Sequence, residues 1–252
     1  MFGRLKFKVW VRWAGVILLL GIVIGFVGRR HGNTVCDQVY IHIDNEKGHY
    51  FLDKKDILQL LTNNGDDYLI GTKYKNINTE KLELRVKNNK FVSDCQVFHN
   101  LRGALSVEVK QVEPIARFLN IGEKDFYIDL DGNIFEVSSK YTARVLVVTQ
   151  EKDVPLPNFE IDKEDQALLD FIRKIHQNPV WRAQIAQIHL NRFGEVTLWM
   201  QIGKPKVLLG KLTDIDDKLK KIDILYQKIL PYKGWETYKT VNLMYHNQII
   251  CE

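Results

Sequence analysis

The sequence predicts an α+β protein: an N-terminal transmembrane helix, a small β-α-α-β-β unit, and a mainly antiparallel β domain with two amphipathic helices. Three observations carry this expectation. Residues 13–28 (WAGVILLLGIVIGFVG) are uncharged and mainly apolar. Residues 35–110 run strand, helix, helix, strand, strand by hydrophobic periodicity. After 112 the pattern is mostly turn-separated strands, interrupted twice by helical spacing. The chain has 252 residues, 45% hydrophobic and 27% charged, which is ordinary globular composition and excludes wholesale disorder and a polytopic membrane protein.

The first segment, 1–12, carries Arg4, Lys6, Lys8 and Arg12 and no acid. It holds most of the net charge of +5, so the remainder is close to neutral and lacks the basic folded domain expected of a nucleic-acid binder. With Val9, Trp10 and Val11 added, the apolar run approaches the ~20 residues that span a bilayer. Trp10 and Trp13 suit the interface, and Arg12 can reach the headgroups. The alternative is a removed signal peptide. No small-x-small site follows the run, which leads into Arg29, Arg30 and His31, and Val35 precedes Cys36 where a lipoprotein site needs a small residue. An uncleaved anchor at 13–28 is therefore expected. The basic tail faces the cytoplasm and the following chain lies outside it. Gly21 and Gly25 form a GxxxG pair, read as ordinary membrane-helix glycines before a dimer contact.

Residues 35–43 alternate as a strand. Asp53, with Asp56 three positions on, caps a helix bearing Ile57, Leu58, Leu60 and Leu61, and Asn63, Asn64 and Gly65 stop it. Asn78 or Thr79 caps a second helix with Leu82, Leu84 and Val86. Residues 91–99 and 104–110 are strands joined by a turn at 100–103. A unit of 35–111 results, a small sheet covered by two helices on one face, and Val112, Glu113 and Pro114 break the pattern.

In 112–252, FYID and IFEV flank the turn LDGN as a hairpin. Asp129, Asp131 and Asn133 resemble the start of a calcium loop, but the glycine comes early and no Glu stands at the twelfth position, so the hairpin reading holds. Residues 144–149 are a strand. Asp162 caps an amphipathic helix at 163–177 with Ala167, Leu168, Phe171, Ile172 and Ile175 on one face. Strands are expected at 185–190, 195–202 and 206–209. A second helix spans about 214–230, with Asp216, Asp217, Lys218, Lys220 and Lys221 read as a solvated face. Residues 238–251 form one or two terminal strands around His246 and Asn247.

Candidate chemistry is sparse. The seven histidines show no ligand spacing. Cys36, Cys95 and Cys251 are odd in number and lack a CxxC, so neither a disulfide framework nor a zinc site is expected. One pair can form, with connectivity open, and Cys251 reads as a small packed hydrophobe. No GxSxG, Walker loop or HExxH occurs. No catalytic, cofactor-binding or metal-binding residue is assigned, and no cofactor is expected.

These features together resemble the FtsQ/DivIB family of bacterial cell-division proteins. A basic tail and single anchor come first, and the unit at 35–110 looks like that family's POTRA domain. VEPIAR at 112–117 is similar to the segment leading into its β domain, with Pro114, Ile115 and Ala116 at the core. FYIDLDGNIFE at 126–136 resembles its hairpin, VLLGK at 207–211 precedes a helix as in the family, and VNLMYHNQ at 241–248 resembles its terminal strand. Asn242 and Met244 replace an acidic and a basic residue there, and Lys211 stands where many members carry Arg. The resemblance implies a non-enzymatic single-pass scaffold of the divisome in the cytoplasmic (inner) membrane at the septum. Its periplasmic or extracytoplasmic β domain binds FtsB-like and FtsL-like proteins and helps regulate septal peptidoglycan synthesis, and its POTRA domain contacts an FtsK-like protein.

Carried over by position, the partner-binding residues are Lys211, an electrostatic contact, and Tyr245 on the terminal strand. In a regular strand Leu243, Asn247 and Ile249 share Tyr245's face. For Leu243 and Ile249 the alternative is that they fill the β-domain core. Two other functions stay open on sequence: a POTRA-type adaptor of another envelope assembly or secretion machine, and an anchored extracytoplasmic cell-wall enzyme.

Overall fold

Capping and turn signals set the boundaries of most elements. The computed structural model describes residues 13, 15–20, 34–45, 48–100, 103–119, 124–152 and 154–252. Residues 13 and 15–20 are helical (α1) and exposed. The rest of the expected span at 13–28, the tail at 1–12 and the Gly21/Gly25 pair lie outside the described residues. Among the described residues no helix is long and apolar enough to cross a membrane. The chain divides into two units, meeting between Gln111 and Val112.

The first unit contains β1 (Gln38–Asp44), α2 (Lys54–Leu61), α3 (Thr79–Lys87), β2 (Val92–His99) and β3 (Ala104–Gln111). Asp53 starts α2 with a reciprocal box: its Oδ1 accepts from the Asp56 N–H at 2.9 Å, and Asp56 Oδ2 accepts from the Asp53 N–H at 3.0 Å. Asn78, not Thr79, caps α3, its Oδ1 accepting from the Lys81 N–H. The sheet order is β1-β3-β2. The tight turn at Gly103 makes β2 and β3 antiparallel, while the two-helix crossover makes β1 and β3 parallel. Ile57, Leu61, Leu82 and Val86 pack on Val97, Leu105, Val107 and Val109. Cys36 and Cys95 are buried in this core, and all three cysteines are free thiols.

The second unit contains β4 (Ala116–Leu119), β5 (Phe126–Ile128), β6 (Ile134–Glu136), β7 (Leu146–Gln150), α4 (Lys163–Gln177), α5 (Pro179–Gln184), β8 (Ile185–Leu190), β9 (Val196–Met200) and β10 (Lys206–Gly210). There follow α6 (Ile215–Ile224), a π-helical turn (Leu225–Ile229), α7 (Leu230–Lys233), β11 (Thr240–Asn242) and β12 (Ile250–Cys251). The strands form one sheet in the order β12-β11-β10-β9-β8-β7-β4-β5-β6. Five of its eight pairings among the described residues are antiparallel. The parallel pairs β4/β7, β7/β8 and β10/β11 are those separated in sequence by crossovers. Leu168, Phe171, Ile172 and Ile175 of α4 and Leu219 and Ile222 of α6 bury against Phe118, Val148, Ile188, Leu198, Val207 and Val241. Each such side chain contributes about 1.5–3 kcal/mol.

Several expectations are corrected. The break at Val112, Glu113 and Pro114 lies outside any strand, and β4 begins just after it as a strand of four residues that the sequence reading does not single out. A short helix, α5, begins at Asn178, whose Oδ1 accepts from the Val180 and Trp181 N–H groups, with Pro179 at its first position. Of the one or two terminal strands expected around His246 and Asn247, two short ones are present, separated by residues 243–249. Two of the lysines assigned to a solvated face of α6 are buried. At the β5–β6 turn Asp129 spends its oxygens on the loop itself, accepting from the N–H groups of Asp131 and Asn133 and from Asn133 Nδ2.

Candidate functional site

The sheet ends at β12. Thr240 and Glu252 exchange main-chain hydrogen bonds of 3.1 and 2.9 Å, and the Lys239 N–H adds a third to the Glu252 carbonyl at 2.7 Å. Val241 lies opposite Cys251 and Asn242 opposite Ile250. In an antiparallel ladder, residues that exchange bonds alternate with residues that do not. Thr240–Glu252 is an exchanging pair, so the main chain of Cys251 turns its N–H and C=O to the open side. Such an edge is a template for another strand.

The predicted residues fall unequally around this edge. Leu243 donates its N–H to the Leu208 carbonyl at 2.9 Å, and its side chain is fully buried in the sheet core. Tyr245 is 52% exposed, Asn247 is exposed, and Ile249 is half-buried against the core. The condition on which all four would share one face, a regular strand, is not met at 243–249. The strand stops at Asn242, whose Oδ1 accepts from the Met244 N–H at 3.0 Å and turns the chain aside. Asn247 then has a φ of 54°, in the left-handed region that asparagine tolerates. Lys211 is exposed just beyond β10.

Helix α6 ties the segments of Lys211 and Tyr245 to one another. Lys218 Nζ donates to the Lys211 carbonyl at 2.7 Å, and Lys221 Nζ donates to the Tyr245 carbonyl at 2.8 Å. Lys221 also pairs with Asp217 at 3.0 Å. The two segments touch directly as well. Gly210, with a φ of 72°, lies under Met244, and a Cβ there would stand 2.8 Å from Met244 Cγ. Burial pulls the Lys218 ammonium below its usual range, an effect Asp214 opposes. The hydrogen bond from Lys221 holds the Asp217 carboxyl below its ordinary value, with Lys221, His246 and Lys220 adding their charge.

Sequence reasoning missed both lysines, although a signal was present. Lys218 is four residues before Ile222 and seven before Leu225, and Lys221 is four before Leu225. These are spacings inside the apolar arc of the helix, not opposite it.

Beside Lys211 a cleft of about 360 Å³ opens between the first turn of α4 and the β8–β9 turn at Asn191–Gly194, floored by Leu168, Leu190 and Leu212. Among the described residues no group of three or more His, Cys, Asp or Glu comes together to hold a metal ion.

Comparison with known proteins agrees with this architecture. Residues 34–110 match the model of the POTRA-like domain, and residues 113–252 match the model described as FtsQ/DivIB, C-terminal related. No curated protein matches the chain. The second match alone covers more than half of the sequence, and with the POTRA-like unit before it the chain belongs to the FtsQ/DivIB family of cell-division proteins.

Proposed function

We propose that this protein is a non-enzymatic divisome scaffold, held in the cytoplasmic membrane by a single helix at 13–28 with its N-terminus inside. Its two folded units lie outside the cytoplasm at the division septum. The β domain binds FtsB-like and FtsL-like single-anchor proteins and so helps regulate septal peptidoglycan synthesis. The POTRA-like unit contacts an FtsK-like protein. No cofactor takes part.

One observation carries this reading: the open edge of β12, flanked by exposed side chains from 244–248 that α6 holds in place. A partner strand laid beside β12 would bond to the outward groups of Cys251. With only two residues in β12, main-chain bonds alone are few, so affinity and specificity fall to neighbouring side chains. Tyr245 is the aromatic anchor, a residue type enriched at binding hot spots. Asn247, Ile249 and Ile250 flank it, and Lys211 supplies a positive charge. Leu243 acts from beneath as core, not as a contact.

The test is in-cell photocrosslinking from position 245 with the adduct identified by mass spectrometry. A small coiled-coil division protein is expected. Adducts with outer-membrane assembly components, and none with division proteins from position 245 or from a position in the POTRA-like unit, would overturn the reading.

A further inference from the structure

Lys218 and Lys221 stand one helical turn apart and are 7% and 6% exposed. A buried ammonium loses its hydration and persists only where other oxygens replace it. Here those oxygens are main-chain carbonyls of two separate segments, at 2.7 and 2.8 Å, joined for Lys221 by the Asp217 carboxylate at 3.0 Å. Both carbonyls lie where the ladder has run out. Lys211 follows Gly210, the last residue of β10. Tyr245 comes two residues after Leu243, whose N–H makes the last bond of that segment to β10. A methionine would fill the same volume without the cost of burying a charge, so packing alone gives no reason for lysine at either position. What the ammonium adds is a fixed point on each carbonyl.

We propose that Lys218 and Lys221 are positioning residues of the partner edge: by gripping the carbonyls of Lys211 and Tyr245 they hold the exposed side chains of both segments in one arrangement before a partner arrives. The role rests on the reading of the Tyr245 segment as a partner contact. Residues 244–248 are exposed throughout. A segment left loose is ordered only at the expense of binding free energy, and fixing it beforehand removes that loss. The i, i+3 spacing of the lysines lets one helix face fix two chain segments that are remote in sequence.

The experiment compares the full-length chain with Lys218→Met, Lys221→Met and the double variant. Leu219→Ala, which opens the core beneath the same helix, is the stability control. Melting temperatures are measured for every variant, so that loss of stability is separated from loss of the grip. Two readouts are taken in each: the yield of the partner adduct from a photocrosslinker at 245, and the mobility of a spin-labelled non-natural side chain at 247. Lys221→Met is expected to lower the adduct yield about tenfold and the double variant further, with mobility at 247 raised. Leu219→Ala is expected to lower the melting temperature at least as much while leaving mobility and yield near wild type. Unchanged mobility and yield in Lys221→Met, or adduct loss in Leu219→Ala that tracks its melting temperature, would overturn the proposal. A wild-type chain that gives no adduct, with mobility still raised in Lys221→Met, would remove the partner reading and reduce the clamp to a structural device, overturning the role proposed.

Discussion

The two ends of the nine-stranded sheet are finished in different ways. At the β6 end the turn closes itself. Asp129 accepts bonds from within its own loop, and the Arg173 Nε–H, from α4, reaches the Leu130 carbonyl at 2.7 Å. The segment after β6 folds back, the Ala143 N–H donating to the buried Tyr127 hydroxyl oxygen at 3.1 Å. At the β12 end the chain turns at 246–247, and Lys221 of α6, 24 residues before Tyr245, donates to the Tyr245 carbonyl at 2.8 Å, while Lys218 holds the Lys211 carbonyl beyond β10. Arg173 is partly exposed and pairs with Asp170, so its carbonyl contact costs and gains little. Lys218 and Lys221 make the same kind of contact from buried positions, where it is costly. An edge that only needs to be capped uses local turn chemistry. An edge that must present side chains in a set arrangement uses a remote, buried grip.

The largest effect should separate core from contact within the β12 end itself. Leu243→Ala is expected to destabilise the β domain by about 2–5 kcal/mol, the usual loss for a fully buried leucine. Tyr245→Ala should leave stability within about 0.5 kcal/mol, as for most exposed positions, while abolishing co-purification of the partner in pull-down from cells. Calorimetric unfolding of the two variants checks the first half. A Tyr245→Ala chain as unstable as Leu243→Ala would mean that the loop is part of the core and that the contrast drawn between the two ends is wrong.

A pair of glycine substitutions sharpens the comparison at a smaller scale. At Gly132, with a φ of 88°, an added Cβ would meet Leu169 Cδ2 at 2.8 Å and Phe159 Cβ at 3.3 Å. Gly132→Ala therefore combines left-handed strain of about 1–2 kcal/mol with overpacking of about 1–3 kcal/mol. At Gly210 the obstacle is the side chain of Met244, 44% exposed and free to move, so Gly210→Ala should carry only the strain of about 1–2 kcal/mol. Denaturant midpoints should thus rank Gly132→Ala below Gly210→Ala. Crosslinking from position 245 should rank them the other way, because displacing Met244 disturbs the segment beside it.

Local chemistry made most of this fold legible. The cap at Asp53, the turn at Asp129 and the stripe of α4 each declare an element through neighbours within a few residues, and each element formed where its signal stood. The terminal segment reads differently. Its alternation from 241 onward allows one strand or two, and the amide of Asn242, by capturing the Met244 N–H, ends the first. Nothing in local spacing sets that competition between side chain and ladder. Leu243 takes the core alternative, its N–H still bonded to the Leu208 carbonyl of β10 one residue past the last strand position. The lysines of α6 mislead for a simpler reason: their charge suggests a solvated face, while their wheel position lies inside the apolar arc. Their partners are carbonyls, which carry no sequence signal, so the grip itself could be seen only in three dimensions.

The smallest expected effect distinguishes the two helices by the sign of their response to acid. On α4, burial raises the Asp165 carboxyl above the ordinary value of 3.8, outweighing the bond it accepts from the Asn158 N–H. Its folded form takes up a proton before the unfolded chain does, so stability rises as pH falls through the folded value toward 3.8. On α6 the Asp217 carboxyl is depressed, first by the hydrogen bond from Lys221. Its contribution is complete above 3.8 and is lost as pH falls below that through the folded value. Melting temperatures of Asp165→Asn and Asp217→Asn across this range should show the first variant missing a gain just above 3.8 and the second missing a loss below it. In Lys221→Met the Asp217 loss should vanish as well, because its main cause is gone. If that acid loss persisted without Lys221, the hydrogen bond from Lys221 would not be what holds the Asp217 carboxyl down, and the charges of His246 and Lys220 would carry the effect.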